Sequence, residues 1–149
     1  MKTIITFIVA MLSAVTISIA TEPAGGNPTE TVQGIQFYEG SWAEALKLAK
    51  KENKLVFLDI YATWCGPCKK LKANTFPDEA VGEFYNANFI NLALDGEKGE
   101  GRELARQYAI KGYPTLLFVD HTGAVVARTT GYHSPDKFLG LGKEVTARK

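Results

Sequence analysis

The chain has 149 residues, 46% hydrophobic and 22% charged, with 17 Lys and Arg against 16 Asp and Glu. That length and balance fit one globular domain with a substantial core and exclude a chain disordered overall. A formal charge of +1 offers no basic excess for nucleic acid or an anionic lipid surface, so neither is expected as a partner.

Residues 1–20 differ from the rest. Lys2 precedes an uncharged apolar run from Ile4 to Ile19, which closes on Ser18-Ile19-Ala20, small residues of the kind a signal peptidase reads. The expectation is an export signal cleaved after Ala20, with an uncleaved anchor as the alternative, although some sixteen apolar residues are short for a span. No cysteine follows the run, so an acylated lipoprotein is not indicated. Residues 21–33, with Pro23, Gly25, Gly26 and Pro28, read as a flexible leader. The domain is then expected over 34–149.

Ser41-Trp42-Ala43-Glu44 is a capping box, and Trp42, Ala45, Leu46 and Ala49 recur at helical spacing, predicting a helix to about Lys51. Leu55–Tyr61 is apolar almost throughout, which predicts a central strand covered on both faces. Trp64-Cys65-Gly66-Pro67-Cys68-Lys69 follows and holds both cysteines of the chain. A Cys-x-x-Cys where a strand hands over to a helix puts the first sulfur beside unpaired N–H groups and the positive end of the helix dipole, conditions that favour thiolate. Cys65 is therefore the expected nucleophile. Cys68, one turn further in, can attack the mixed disulfide that Cys65 forms and leave a Cys65–Cys68 bridge. Zinc would need four ligands, and only His121 and His133 are on offer beyond the pair, so no metal is expected. A purely structural bridge closing so short a loop would remove little chain entropy.

The helix from Cys65 should bury Cys68 and Leu71 and expose Lys69, Lys70 and Lys72, then break at Asn74-Thr75-Phe76-Pro77. Asp78 can cap a further helical segment through Val81, Phe84 and Tyr85. Phe89–Leu94 predicts a second buried strand. Gly96–Gly101 lacks the Gly-Lys-Ser/Thr ending of a phosphate loop and carries glutamates, so it reads as a surface turn before a short helix over Arg102–Tyr108. Thr115–Val119 and Ala124–Ala127 around Asp120-His121-Thr122-Gly123 predict a hairpin with His121 at its solvent tip. Ser134-Pro135-Asp136 predicts a last helix that turns Phe138, Leu139 and Leu141 inward.

Three separated signals make the chain resemble the thioredoxin superfamily over nearly everything after residue 34: Asp59 six residues before Cys65, the Trp64–Lys69 block, and Gly112-Tyr113-Pro114-Thr115 before the hairpin. Leu58–Cys65 and Thr75–Asp78 resemble exported thioredoxin-like reductases in particular, as well as the periplasmic C-terminal domain of transmembrane thiol reductants. The resemblance implies an α/β thioredoxin fold, a central mixed β-sheet flanked by helices on both faces. It implies a cis Tyr113–Pro114 peptide opposite the sulfurs, and a groove in which the Tyr113 backbone pairs with an extended substrate while Gly112 and Gly131 leave room. Trp64, Gly66 and Pro67 would support the active-site loop. Asp59 would exchange the Cys68 proton, a role its apolar strand also favours, since desolvation raises a carboxyl pKa. Four positions depart from the family: Asn91 stands where many members carry a lysine beside that aspartate, Tyr61 replaces a frequent tryptophan, Ala73 replaces a helix-kinking proline, and Tyr113 replaces a smaller aliphatic residue.

The expected protein is a monomeric, exported (periplasmic or secreted) thiol–disulfide oxidoreductase that reduces disulfide-bearing client proteins. Its electrons would come from a donor such as a membrane thiol reductase, because no nicotinamide site is present and no cofactor is expected. A thiol-based client-binding or copper(I)-handling module, and a net oxidase or isomerase, are the alternatives.

Overall fold

The computed structural model describes residues 33–148. The expected signal, and all of the expected leader but Gln33, lie outside the described residues. Five helices surround four strands: α1 (Trp42–Glu52), β1 (Leu55–Tyr61), α2 (Gly66–Lys70) running into a π turn (Leu71–Thr75), α3 (Glu79–Asn88), β2 (Phe89–Asp95), α4 (Gly99–Gln107), β3 (Thr115–Val119), β4 (Val125–Thr130) and α5 (Pro135–Ala147). The strands lie in the order β2-β1-β3-β4. β2 runs parallel to β1, and β3 and β4 are antiparallel to their neighbours. This is the mixed, helix-covered sheet that the apolar strands predict.

Alternation along β1 divides the core. Val56, Leu58 and Ile60 face Trp42, Ala45 and Ala49 of α1 together with Leu104 and Tyr108. Leu55 and Phe57 face the other way, onto Tyr85 of α3 and Phe138 and Val145 of α5. Phe57 stands at the centre of this second layer, with ring centroids 5.3–5.4 Å from Tyr85, Phe118 and Phe138. Asp59 falls on the same face as Phe57 because strand side chains repeat every second residue. Its neighbours in register are Ala93 on β2 and Leu116 on β3. Position in the central strand is therefore what buries this carboxyl group.

The helix boundaries have local causes. Ser41 Oγ accepts from the Glu44 N–H while Glu44 Oε2 accepts from the Ser41 N–H, the reciprocal capping box expected. Asp78 caps α3 by accepting from the Val81 N–H. Ser134 precedes α5, but its side chain makes no capping hydrogen bond; Pro135 starts the helix with its pre-set φ alone. α4 begins earlier than expected, at Gly99, so the glycine-rich stretch is part turn and part first helical turn. Gly101 is required there, since a Cβ would lie 2.2 Å from the Asp95 carbonyl oxygen.

Sequence periodicity does not reveal what residues 34–40 do. They run beside β2, an edge strand of the sheet, with the Tyr38 N–H donating to Asn91 O (2.7 Å), the Ile35 N–H to Phe76 O (2.7 Å) and the Gln36 N–H to Asn86 Oδ1 (2.9 Å). Ile35 and Phe37 join the second core layer. An edge strand is thereby covered rather than left open to pairing. The docking depends on Gly82, where a Cβ would come within 2.3 Å of the Gly34 carbonyl group. Gly82→Ala is expected to lose roughly 1–3 kcal/mol by overpacking, measured as a lower urea midpoint. An unchanged midpoint would mean that the segment contributes nothing by docking.

Candidate active site

The strand-to-helix handover places Cys65 at the N-cap of α2, with Pro67 in the first turn. Cys65 and Cys68 are joined by a disulfide with a Cα–Cα distance of 5.3 Å. Cys65 Sγ also accepts from the Cys68 backbone N–H at 3.1 Å. Exposure does not separate the two cysteines in this oxidised state, since Cys65 is 2% and Cys68 7% exposed. What distinguishes Cys65 is the capping position and the donor aimed at its sulfur, both of which favour negative charge there.

Tyr113 packs against the cysteine pair, as does Tyr61. The Tyr113–Pro114 peptide is cis. Pro114 O accepts from the Gly131 N–H (3.0 Å), tying the end of β4 to the loop before β3. Thr115 Oγ1 donates to Gly112 O at 2.7 Å, closing that loop from the other side. At Gly66, Gly112 and Gly131 no heavy atom lies within 4 Å of where a Cβ would stand, and Gly131 has φ +82°, a conformation that favours glycine.

Trp64 is not core. It is 66% exposed, meets the Tyr113 ring edge-on at 6.0 Å and donates its indole N–H to Glu97 Oε2 at 3.1 Å. Glu97 belongs to the stretch read from sequence as a surface turn. Nothing in its local pattern signals that it reaches an indole 33 residues away. Its own backbone is held in place, because Glu97 O accepts from Arg102 and the Glu97 N–H donates to Asp95 Oδ1.

Asp59 is 5% exposed, and its Oδ1 has no hydrogen-bond partner. Backbone N–H groups therefore do not neutralise this oxygen. Burial pushes the carboxyl pKa up to about 7, opposed by the positive charge of Lys72. Beside it lies a cavity of about 470 Å³, lined among others by Tyr61, Cys68, Lys69 and Lys72. The carboxyl group and the second sulfur thus share one solvent-reachable space. Asn91, in contrast, donates through Nδ2 to Gln36 O and Asn86 Oδ1 and so serves the docked N-terminal segment. His121 is exposed at the hairpin tip and His133 is bonded to Thr129 and Gly131. Among the described residues no group of His, Cys, Asp and Glu is arranged to hold a metal.

The family model of the thioredoxin-like domain matches residues 42–146. The thiol:disulfide interchange protein DsbD of Actinobacillus pleuropneumoniae is 35% identical over 97 residues, which cover 62% of this chain and 16% of that protein. The chain thus spans less than a fifth of the length of this relative. Among solved structures, a proposed disulphide-isomerase from Bacteroides thetaiotaomicron is 44% identical, with a TM-score of 0.68 over 79% of this chain and 98% of that one. The C-terminal domain of Neisseria meningitidis DsbD in its oxidised form is 26% identical, with a TM-score of 0.58 over 68% of this chain and 90% of that one.

Proposed function

The chain belongs to the thioredoxin-like domain family, and we propose that it is a thiol–disulfide oxidoreductase, an exported reductant of protein disulfides. In the reduced enzyme the Cys65 thiolate attacks one sulfur of a client disulfide, forming a mixed disulfide and expelling the other client sulfur as a thiolate. Cys68 gives its proton to the Asp59 carboxylate, through water in the shared cavity, and the Cys68 thiolate then attacks Cys65 Sγ. The second client thiolate leaves, and two electrons have passed from the dithiol to the client. Proton uptake by the two client thiolates completes the balance. A donor dithiol, such as a membrane thiol reductase, restores Cys65 and Cys68.

The observation that carries this reading is the placement of the redox pair: Cys65 at a helix start with a donor on its sulfur, and Cys68 lining the same cavity as a buried carboxyl group whose Oδ1 has no partner. The client segment lies along Tyr113, with Gly112 and Gly131 leaving it room. The reducing direction is supported by Gly66-Pro67 between the cysteines and by the similarity to DsbD. Export is supported by the apolar run behind Lys2. No helix among the described residues is long and apolar enough to cross a membrane.

The first test is differential alkylation. In the reduced protein at pH 7, iodoacetamide is expected to label Cys65 at least about tenfold faster than Cys68, the size of effect produced by lowering a thiol pKa by a unit or more. Peptide mapping reads the ratio. Equal rates, or Cys68 leading, would reverse or remove the assignment of nucleophile and resolver.

A second direction rests on the 44% identity to a proposed disulphide-isomerase. Equilibration with glutathione separates the two. A reductase is expected near the potential of thioredoxin itself, about −270 mV, and an isomerase near about −180 mV.

A further inference from the structure

The cation facing Asp59 does not come from β2, where the family resemblance places it. Asn91 holds that position, and its amide bonds to Gln36 and Asn86 instead. Lys72 lines the cavity beside the carboxyl group from another element. Lys72 follows Cys68 by four residues, on the same face of the helix that starts at Cys65, and its side chain is exposed, as the sequence leads one to expect. Past Lys70 the helix does not remain α. From Leu71 to Thr75 it widens into a π turn, with the Phe76 N–H donating to Leu71 O at 2.9 Å. The turn is anchored at both ends by buried side chains, Leu71 in the second core layer and Thr75, whose Oγ1 donates to His133 O at 2.6 Å. Between these anchors the chain has one position whose long cationic side chain lines the Asp59 cavity, and that is Lys72.

We propose that Lys72, which lines the Asp59 cavity one turn after Cys68, is a positioning residue for the thiol–disulfide step and governs when Asp59 accepts the Cys68 proton. The proposal rests on the role assigned above to Asp59. Three other titratable groups line the cavity: Tyr61 from β1, and Cys68 and Lys69 from α2. Ala93 from β2, and Phe37 and Phe76 from the covering segments, bring no charge. Of the lysines, Lys72 is the one whose charge acts on the carboxyl group, and it does so across the cavity, since no direct ion pair joins the two. A cation at such a distance in a partly solvated space acts through a field that is screened but not abolished. That suits a group that must release its proton again in every cycle.

The test uses the full chain in two measurements. In the oxidised protein, where neither cysteine titrates, the Asp59 carboxyl is followed by carbon-detected NMR across pH 5 to 9. Lys72→Met is expected to raise its proton affinity about threefold, the size of one screened charge, and Lys72→Glu to raise it further. Lys72→Arg should restore the wild-type titration. Lys70→Met, on exposed α2 surface outside the cavity, should leave it in place. In the reduced protein, the pH profile for single-turnover reduction of insulin should move to higher pH in Lys72→Met, and that shift should vanish in an Asp59→Asn background. A carboxyl titration unmoved by both Lys72→Met and Lys72→Glu, or moved equally by Lys70→Met, would overturn the Lys72 assignment while leaving Asp59 its role. A moved titration with an unmoved profile would overturn the Asp59 role, and the proposal that rests on it.

Discussion

Asp59→Asn is expected to slow disulfide turnover and, at the same time, to make the oxidised protein more stable above neutral pH. The substitution keeps the volume of a buried side chain and removes its charge. For turnover, the wild-type rate should rise as Asp59 ionises through about pH 7, and the variant should lack that rise. At pH 8 the deficit should be about a hundredfold, the lower end of what a positioned general base contributes. For stability, the folded pKa of about 7 lies above the ordinary value of 3.8. Between these values the folded state binds more proton than the unfolded one, so stability falls as pH rises through the window. The contribution of the neutral acid is intact below about pH 4 and is lost above about pH 7, with an upper bound of roughly 4 kcal/mol for a displacement of that size. The stability difference between Asp59→Asn and wild type should therefore widen from pH 4 to pH 8, read by urea denaturation with the disulfide intact. A constant difference over that range would mean that the carboxyl group does not titrate there, and an unchanged rate from pH 6 to 9 would leave Asp59 a structural role only.

Replacing either sulfur has the other large expected effect, and the two replacements should differ in kind. Cys65→Ser removes the nucleophile, so insulin reduction should fall to the rate of dithiothreitol alone and no protein–client adduct should form. Cys68→Ser keeps the nucleophile and removes the resolver. It should also lose turnover, but it should accumulate a mixed disulfide between Cys65 and the client, visible as a heavier band on a non-reducing gel and released by reductant. An adduct formed by Cys65→Ser and not by Cys68→Ser would interchange the two roles. The band from Cys68→Ser in its native compartment would carry clients and electron donor alike, because both form disulfides with Cys65.

Much of this was legible along the chain because its causes are local. The caps at Ser41 and Asp78, the apolar run of β1 around Asp59 and the turn between β3 and β4 each act over a few residues, and each appears where the sequence places it. Other features were hidden because their partners are remote in sequence. Residues 34–40 carry no strand pattern, yet Gly82 and Asn86 draw them onto the sheet. Glu97 reads as solvated charge until the fold brings it to Trp64. Trp64, expected beside the active-site loop, is the most exposed large hydrophobic of the described residues, which its residue type alone does not show.

The chemistry itself belongs to the sequence. Two thiols three residues apart at a helix start can close on each other whatever else surrounds them, because that geometry is set by the backbone between them. The proton affinity of the group that serves those thiols is a different kind of property. It depends on how far Asp59 is removed from water and on which charge looks into the space beside it, both of which are through-space quantities. Sequence offered several lysines and an asparagine at the expected lysine position. Only the burial of Asp59 and the lining of the cavity beside it decided that the charge acting on Asp59 is that of Lys72.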